Sequence, residues 1–185
     1  MLYRFIFLLL FFPALSIQAA ELSEVSFADK INVGEQSLVL NGLGLRLATI
    51  FKVKAYVAAL YVDKKMSTWP EIKANTGNKK LVLHFLTSLS KKKLADSLEE
   101  AYRKNLNLEE FTKIQPAISK MNRFMKSMKK GQVIEMVVQG NKADIYIRGQ
   151  KAVTIEDAYF AQNFLIAFLG ENPPNPEIKQ GLLGK

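Results

Sequence analysis

The chain of 185 residues has no cysteine, one histidine, and 26 Lys and Arg against 17 Asp and Glu, a formal net charge of +9. Without cysteine there is no disulfide, no thiolate nucleophile and no cysteine metal site. The lone histidine lacks sequence neighbours of metal-ligand spacing, so neither a metal nor another cofactor is expected.

Met1-Leu2-Tyr3-Arg4 precedes an uncharged run from Phe5 to Leu15, and Ser16-Ile17-Gln18-Ala19-Ala20 leads to the charged Glu21. One positive residue, an apolar run and small residues at the exit predict a secretory signal peptide over residues 1–20, cleaved after Ala19 or Ala20. A membrane anchor is the alternative, but a span needs roughly 20 apolar residues. The expectation is an exported protein, periplasmic in a Gram-negative cell and otherwise secreted. It would form one domain over residues 21–185, with no transmembrane segment after cleavage. Loss of Arg4 leaves 25 basic residues against 17 acidic, and much of the excess lies in Lys64-Lys65, Lys79-Lys80, Lys91-Lys92-Lys93 and Lys126 to Lys130. Nucleic-acid binding calls for exposed aromatics between such patches. Here the aromatics fall at core spacings, so no nucleic-acid partner is expected. The patches read as solvated faces, with attraction to anionic lipid surfaces as the alternative.

Val25, Phe27, Ile31 and Val33 predict one or two short edge strands before Gln36. Ser37-Leu38-Val39-Leu40 is a short strand that should stop at the turn dipeptide Asn41-Gly42. In the next strand Leu45, Leu47 and Phe51 fall on one face, and Arg46, Ala48 and Ile50 on the other. Val53 to Val62 is almost wholly apolar after Lys54, as for a strand covered on both faces. Asp63 to Asn78 is a loop holding about one helical turn, and Lys80 to Leu86 is a strand containing His84. His84 reads as a structural strand residue, with proton transfer as the alternative.

From Ser90 the period changes. Leu94, Leu98, Ala101 and Tyr102 recur at helix spacing, with Ser90 as N-cap. Asn107-Leu108-Glu109-Glu110 is a capping box opening a second helix. Its stripe is Phe111, Ile114, Ile118, Met121, Met125 and Met128; Pro116 marks a kink or boundary, and Gly131 ends it. The methionines line either an adaptable pocket or an ordinary core. Val133 to Val138 and Ala143 to Arg148 form a hairpin around Gly140-Asn141-Lys142. Gly149-Gln150 then turns into Ala152-Val153. Thr154 is read as the cap of a last helix over Ile155 to Leu169, with Asp157 in its capping box, stopped by Gly170 and the prolines beyond. Glu177 to Leu183 is a short final turn at the surface. The fold class is α+β, an antiparallel sheet with helices gathered on one face.

Little here supports nucleophilic or redox chemistry. No Gly-x-Ser-x-Gly elbow, phosphate loop or dinucleotide fingerprint occurs, and Gly42-Leu43-Gly44 leads into a strand. Glu99-Glu100 and Glu109-Glu110 lie in the first halves of helices, where capping and solvation account for them. Arg46 and Tyr56 remain. Arginine offers a fork that matches a carboxylate or oxyanion, and tyrosine adds one O–H donor. On neighbouring strands they could meet at the end of an apolar cleft and hold the head of an amphiphile. Equally, Arg46 could pair with an internal carboxylate and staple two strands.

Asn41-Gly42-Leu43-Gly44-Leu45-Arg46 and Phe51-Lys52-Val53-Lys54-Ala55-Tyr56 through Val62 resemble the chalcone isomerase family, in particular its bacterial chalcone isomerase-like branch. The runs Ile155-Glu156-Asp157 to Phe168-Leu169-Gly170 and Pro176 to Gly184 match as well. The resemblance implies an open-faced β-sandwich with a ligand cleft between a large antiparallel sheet and a helical layer. In the plant enzyme the arginine of a Gly-x-Arg motif stabilises the oxyanion of a cyclising chalcone, and Arg46 matches it. Tyr56 stands where that enzyme has a threonine. The enzyme's tyrosine and asparagine fall near Leu94 and Ala101, which cannot donate hydrogen bonds, and only Thr154 lies near its later threonine. The fatty-acid-binding branch instead holds a carboxylate with an arginine and a tyrosine on these strands, and Arg46 with Tyr56 resembles that pair. The resemblance therefore implies a binding protein for a fatty acid or similar anionic amphiphile, which the N-terminal run would export. The alternatives are an intramolecular lyase or isomerase for a chalcone-like, phenolic or other enone substrate, with Arg46 catalytic, and a non-catalytic partner-binding module.

Overall fold

The computed structural model describes residues 19–48 and 51–185. Residues 1–18 of the expected signal peptide, and Ile50 of the expected strand face, lie outside the described residues. The elements in chain order are β1 (Ala19–Leu22), β2 (Val25–Ala28), β3 (Lys30–Val33), β4 (Gln36–Ala48), β5 (Val53–Val62), α1 (Trp69–Ala74), β6 (Lys79–Phe85), α2 (Lys91–Asn105), α3 (Leu108–Phe124), β7 (Val133–Gln139), β8 (Lys142–Ile147), β9 (Gln150–Glu156), α4 (Ala158–Asn163), α5 (Ile166–Leu169) and α6 (Pro176–Leu182). Strands β3 to β9 form one seven-stranded antiparallel sheet in sequence order, and β1 and β2 form a separate hairpin.

The sheet is curled, and its two faces bury different material. On one face Tyr56, Leu60, Leu81, Phe85, Ile134 and Ile145 pack against residues of the helices, among them Tyr102, Ile114, Met121 and Phe160. On the other, Leu38, Leu40, Val57, Ala59 and Tyr61 pack under Phe27 of the hairpin. The Tyr61 hydroxyl donates to the Ala28 carbonyl at 3.0 Å and holds the hairpin down. Full burial of a large apolar side chain contributes roughly 1.5–3 kcal/mol, so these two layers supply the main driving force in a chain without disulfides.

Asn41-Gly42 does not end a strand. β4 runs through it, and a bulge between Leu40 and Gly42 inserts Asn41 as an extra residue against β5. Asn41 is buried and fully used: its Nδ2 donates to the carbonyls of Met66 (2.9 Å) and Leu182 (2.7 Å), and its Oδ1 accepts from the Met66 N–H at 2.8 Å. The extra residue reverses the alternation of β4. Leu38 and Leu40 face the hairpin, whereas Gly42, Gly44 and Arg46 stand opposite Leu60, Ala58 and Tyr56 on the helical side.

Other differences from expectation have similar local causes. The stretch before Gln36 holds three short strands, because Ser23 and Glu24 both adopt positive φ and turn β1 back as β2. Within this hairpin Ala19 and Ala20 pair with Ala28 and Phe27. Phe51 lies in the turn between β4 and β5 and is 81% exposed, not on a strand face. α3 passes through Pro116, on the solvent side of the helix, where the carbonyl that loses its partner can be hydrated. It ends at Phe124 rather than Gly131, because Met128 leaves to bridge Leu89. Thr154 is not a cap. It lies in β9 and donates to Asp144, and Asp157 caps α4 by accepting from the Phe160 N–H at 2.8 Å. The last apolar helix is split into α4 and α5 around Phe164 and Leu165. The final turn is not a surface feature: Ile178 and Leu182 of α6 are fully buried.

α6 is buried because glycine lets it in. A Cβ on Gly44 would lie 2.4 Å from the Ile178 carbonyl oxygen, and one on Gly181 would lie 2.1 Å from that of Leu43. Both contacts are backbone to backbone and cannot yield by a side-chain rotation. Gly44→Ala is expected to destabilise the fold by about 3 kcal/mol through overpacking, read as a lower urea midpoint with an unchanged m-value.

Candidate functional site

Arg46 and Tyr56 are register partners on β4 and β5. A second irregularity follows them, with Leu47 opposite Lys54, so that Ala55 is the extra residue and both Ala55 and Tyr56 reach the helical face. Tyr56 is packed against Phe85, ring centroids 5.5 Å apart and planes inclined at 59°.

The Arg46 guanidinium is half-buried. Its Nη1 donates to the carbonyls of Leu47 and Pro174, the latter at 3.1 Å, and to Asn175 Oδ1 at 3.3 Å. Asn175 in turn donates from Nδ2 to the Leu45 carbonyl at 2.9 Å and accepts from the Leu47 N–H at 3.2 Å. The arginine is thus aimed by neutral oxygens of β4 and of the segment leading into α6. Among the described residues no ion pair involves Arg46, so the internal carboxylate of the staple alternative is not found there. Glu100 feels its charge, but its carboxyl is lowered first by its bond to Lys104, at 2.6 Å, and only last by Arg46.

Arg46 and Tyr56 line a cavity of about 280 Å³ between sheet and helices, near the lower end of the roughly 300–1,000 Å³ usual for small-molecule sites. Its floor crosses five adjacent strands, from Arg46 on β4 to Ile145 on β8. Its roof includes Leu94, Leu98 and Ala101 of α2 and Met121 of α3. The wall is hydrocarbon apart from Arg46, Tyr56, Lys93 and Ser97. Lys93 and Ser97 are exposed and so stand at the mouth. Met121 and Met125 of the methionine stripe line the cavity while counting among the buried core, so both readings of the stripe apply to them.

The sequence had pointed to Arg46 and Tyr56 but not to Asn175, Lys93 or Ser97. Asn175 follows Pro173-Pro174, which reads only as a helix stop, and its partners lie about 130 residues away. Ser97 and Lys93 share a face of α2 with Ala101, a spacing of four that was available in the sequence. Leu94 and Ala101 both line the cavity, so the positions expected for the enzyme's tyrosine and asparagine present hydrocarbon. Thr154 bonds Asp144 and is not among the cavity residues. His84 lies in β6 opposite Val57 and Val133 and does not line the cavity either.

A curled antiparallel sheet with helices over one face and a cleft between them defines the chalcone isomerase-like open-faced sandwich. Residues 19–184 match the family model described as chalcone isomerase-like, and the chain belongs to that family. Among solved structures it is similar to the crystal structure of a fatty-acid-binding protein from Arabidopsis thaliana. The TM-score is 0.70 at 13% identity, covering 90% of this chain and 96% of that one. A comparison with curated protein sequences finds no match.

Burial pushes the Tyr56 phenol up to about 12, against the pull of the Arg46 charge and its hydrogen bond. The group is therefore a neutral donor through the physiological range. Because the folded value is raised, the associated stability is complete below about pH 10 and is lost as pH rises through about 12. Spectrophotometric titration at alkaline pH should show no difference between wild type and Tyr56→Phe up to about pH 11, with one fewer phenolate in the variant above that.

Proposed function

We propose that this is an exported binding protein for a fatty acid or a similar anionic amphiphile, with Arg46 and Tyr56 at its head group. The observation that carries the reading is an apolar cavity with one arginine at its edge that neutral oxygens orient and no carboxylate among the described residues neutralises. A carboxylate placed there would receive a charge-assisted bond from the guanidinium and a second from the neutral phenol. The cavity floor favours a long apolar body. Four strand spacings of about 4.8 Å make roughly 19 Å. An extended alkyl chain, which like extended backbone advances about 1.2 Å per bond, covers that distance with about 16 carbons. The fatty-acid-binding protein of the same fold supports the reading, and the apolar N-terminal run supports export. Hydrocarbon at Leu94 and Ala101 favours binding over isomerase chemistry, since a developing enolate would find no donor there.

Protein isolated from its native compartment is expected to carry a bound lipid in native mass spectrometry. In a fluorescent fatty-acid titration Arg46→Ala should weaken binding by about tenfold to a hundredfold, the equivalent of roughly 1.5–3 kcal/mol for bonds to a charged group. Tyr56→Phe should cost less, and Arg46→Lys should retain part of the affinity. Circular dichroism of each variant separates lost binding from lost fold. A wild type that is lipid-free and ignores added fatty acid would refute the assignment.

A further inference from the structure

The connections at one end of the sheet carry a one-sided charge pattern. The start of β5, the end of β6, the start of β7, the end of β8 and the start of β9 all lie at this end, as their registers require. The segments there are residues 51–54, 86–95, 123–134 and 148–151. They hold eleven Lys and Arg and no Asp or Glu. All eleven side chains are exposed, and two of them meet carboxylates just beyond these segments, Lys92 at Asp96 and Lys151 at Asp144. At the opposite ends of these strands, residues 34–35, 63–78, 140–142 and 156–157 hold five Asp and Glu against four Lys. The basic excess of the protein is therefore gathered at one pole.

The fold ties these segments into one surface. The Leu86 N–H donates to the Ala55 carbonyl at 2.9 Å, joining the end of β6 to the start of β5. Leu89 bridges Met128, the Lys91 N–H donates to Ser127 Oγ at 3.0 Å, and Lys91 Nζ reaches the Arg123 carbonyl at 3.0 Å. Arg148 donates to the Ser127 carbonyl at 2.7 Å and brings in the β8–β9 turn. Three of the four large apolar residues exposed among the described residues, Phe51, Val53 and Phe124, lie in the same segments. Leu89, Lys93 and Met125 belong both to this pole and to the cavity lining, and Ala48 and Ala55 of the lining flank the β4–β5 turn. Exposed apolar side chains interspersed with cations at the end of the sheet where the cavity opens match an acyl boundary beneath anionic head groups.

We propose that this pole docks on an anionic phospholipid bilayer, with the lysines and arginines among the head groups and Phe51 and Phe124 at the acyl boundary. The cavity mouth then faces the membrane, and an amphiphile passes between bilayer and cleft without crossing water. The docking rests on the surface itself, and only the transfer step rests on the binding function proposed above.

The test is sedimentation of the full mature protein with vesicles of phosphatidylcholine, with or without about 30% phosphatidylglycerol. Binding is expected only to the anionic vesicles, and should fall at least about tenfold between about 0.1 M and 0.5 M salt. Lys126→Glu/Lys129→Glu/Lys130→Glu and Phe51→Ser should each weaken it, whereas Lys64→Glu/Lys65→Glu at the opposite pole should not. None of these residues lines the cavity, so fluorescent fatty-acid titration without vesicles should be unchanged in all three variants. Vesicle binding by a protein that takes no fatty acid would leave the docking standing and remove the ligand assignment. Three results would overturn the docking: equal binding to neutral vesicles, wild-type binding by the charge-reversed variant, or tighter capture by duplex DNA that ignores Phe51→Ser.

Discussion

One extra residue in β4 decides on which side of the sheet Arg46 stands. Strand side chains alternate strictly, so without the Asn41 bulge Arg46 would follow Leu38 and Leu40 toward the β1–β2 hairpin. The bulge persists because Asn41 spends every buried polar atom of its side chain on backbone groups of Met66 and Leu182. A polar side chain at 2% exposure is tolerable on those terms alone. The same residue that turns the strand over also anchors the segment packed against the turned face. Gly42 and Gly44 then meet α6 backbone to backbone, and Arg46 follows at the next inward position, where the cavity begins.

The arginine is not held as a structural ion pair would be. Its Nη1 bonds are to carbonyls and an amide, which orient a cation without cancelling its charge. Tyr56 beside it stays neutral because burial outweighs the attraction of the guanidinium for a phenolate. The two side chains therefore differ in kind, one a fixed positive charge and one a neutral donor. Both are held in place by protein contacts alone, the arginine by Pro174 and Asn175 and the phenol by packing on Phe85.

What could be read from the sequence follows the range of the interactions involved. The caps at Ser90 and Asn107 were visible because a capping bond spans three residues, and both are formed as expected. The pairing of Arg46 with Tyr56 across neighbouring strands was visible because the two strands are nearly contiguous. Asn41-Gly42 was misread because the dipeptide that favours a tight turn also suits a bulge, and the choice is made by Met66 and Leu182, far along the chain. Thr154 was misread for a related reason. A β-branched residue before an acidic one fits a helix start, but Ala152-Val153-Thr154-Ile155 finds β8 beside it and extends as a strand. The cavity mouth was hidden for another reason: Lys93 and Ser97 look like any solvated helix face until the sheet beneath them is known.

The docking of α6 on β4 has a consequence for how the chain reaches this state. Leu182 bonds a residue 141 positions earlier, and Ile178 lies over Gly44. Contacts of such separation close late, since the loop between them must be ordered before they contribute. The sheet can meander together strand by strand, but the face of β4 at Gly42 and Gly44 is covered only by α6. The partners that orient Arg46, Pro174 and Asn175, belong to that same segment. A nascent or C-terminally clipped chain would hold most of the sheet and an unoriented arginine. Such a chain is structured in outline, with the cavity edge still unset.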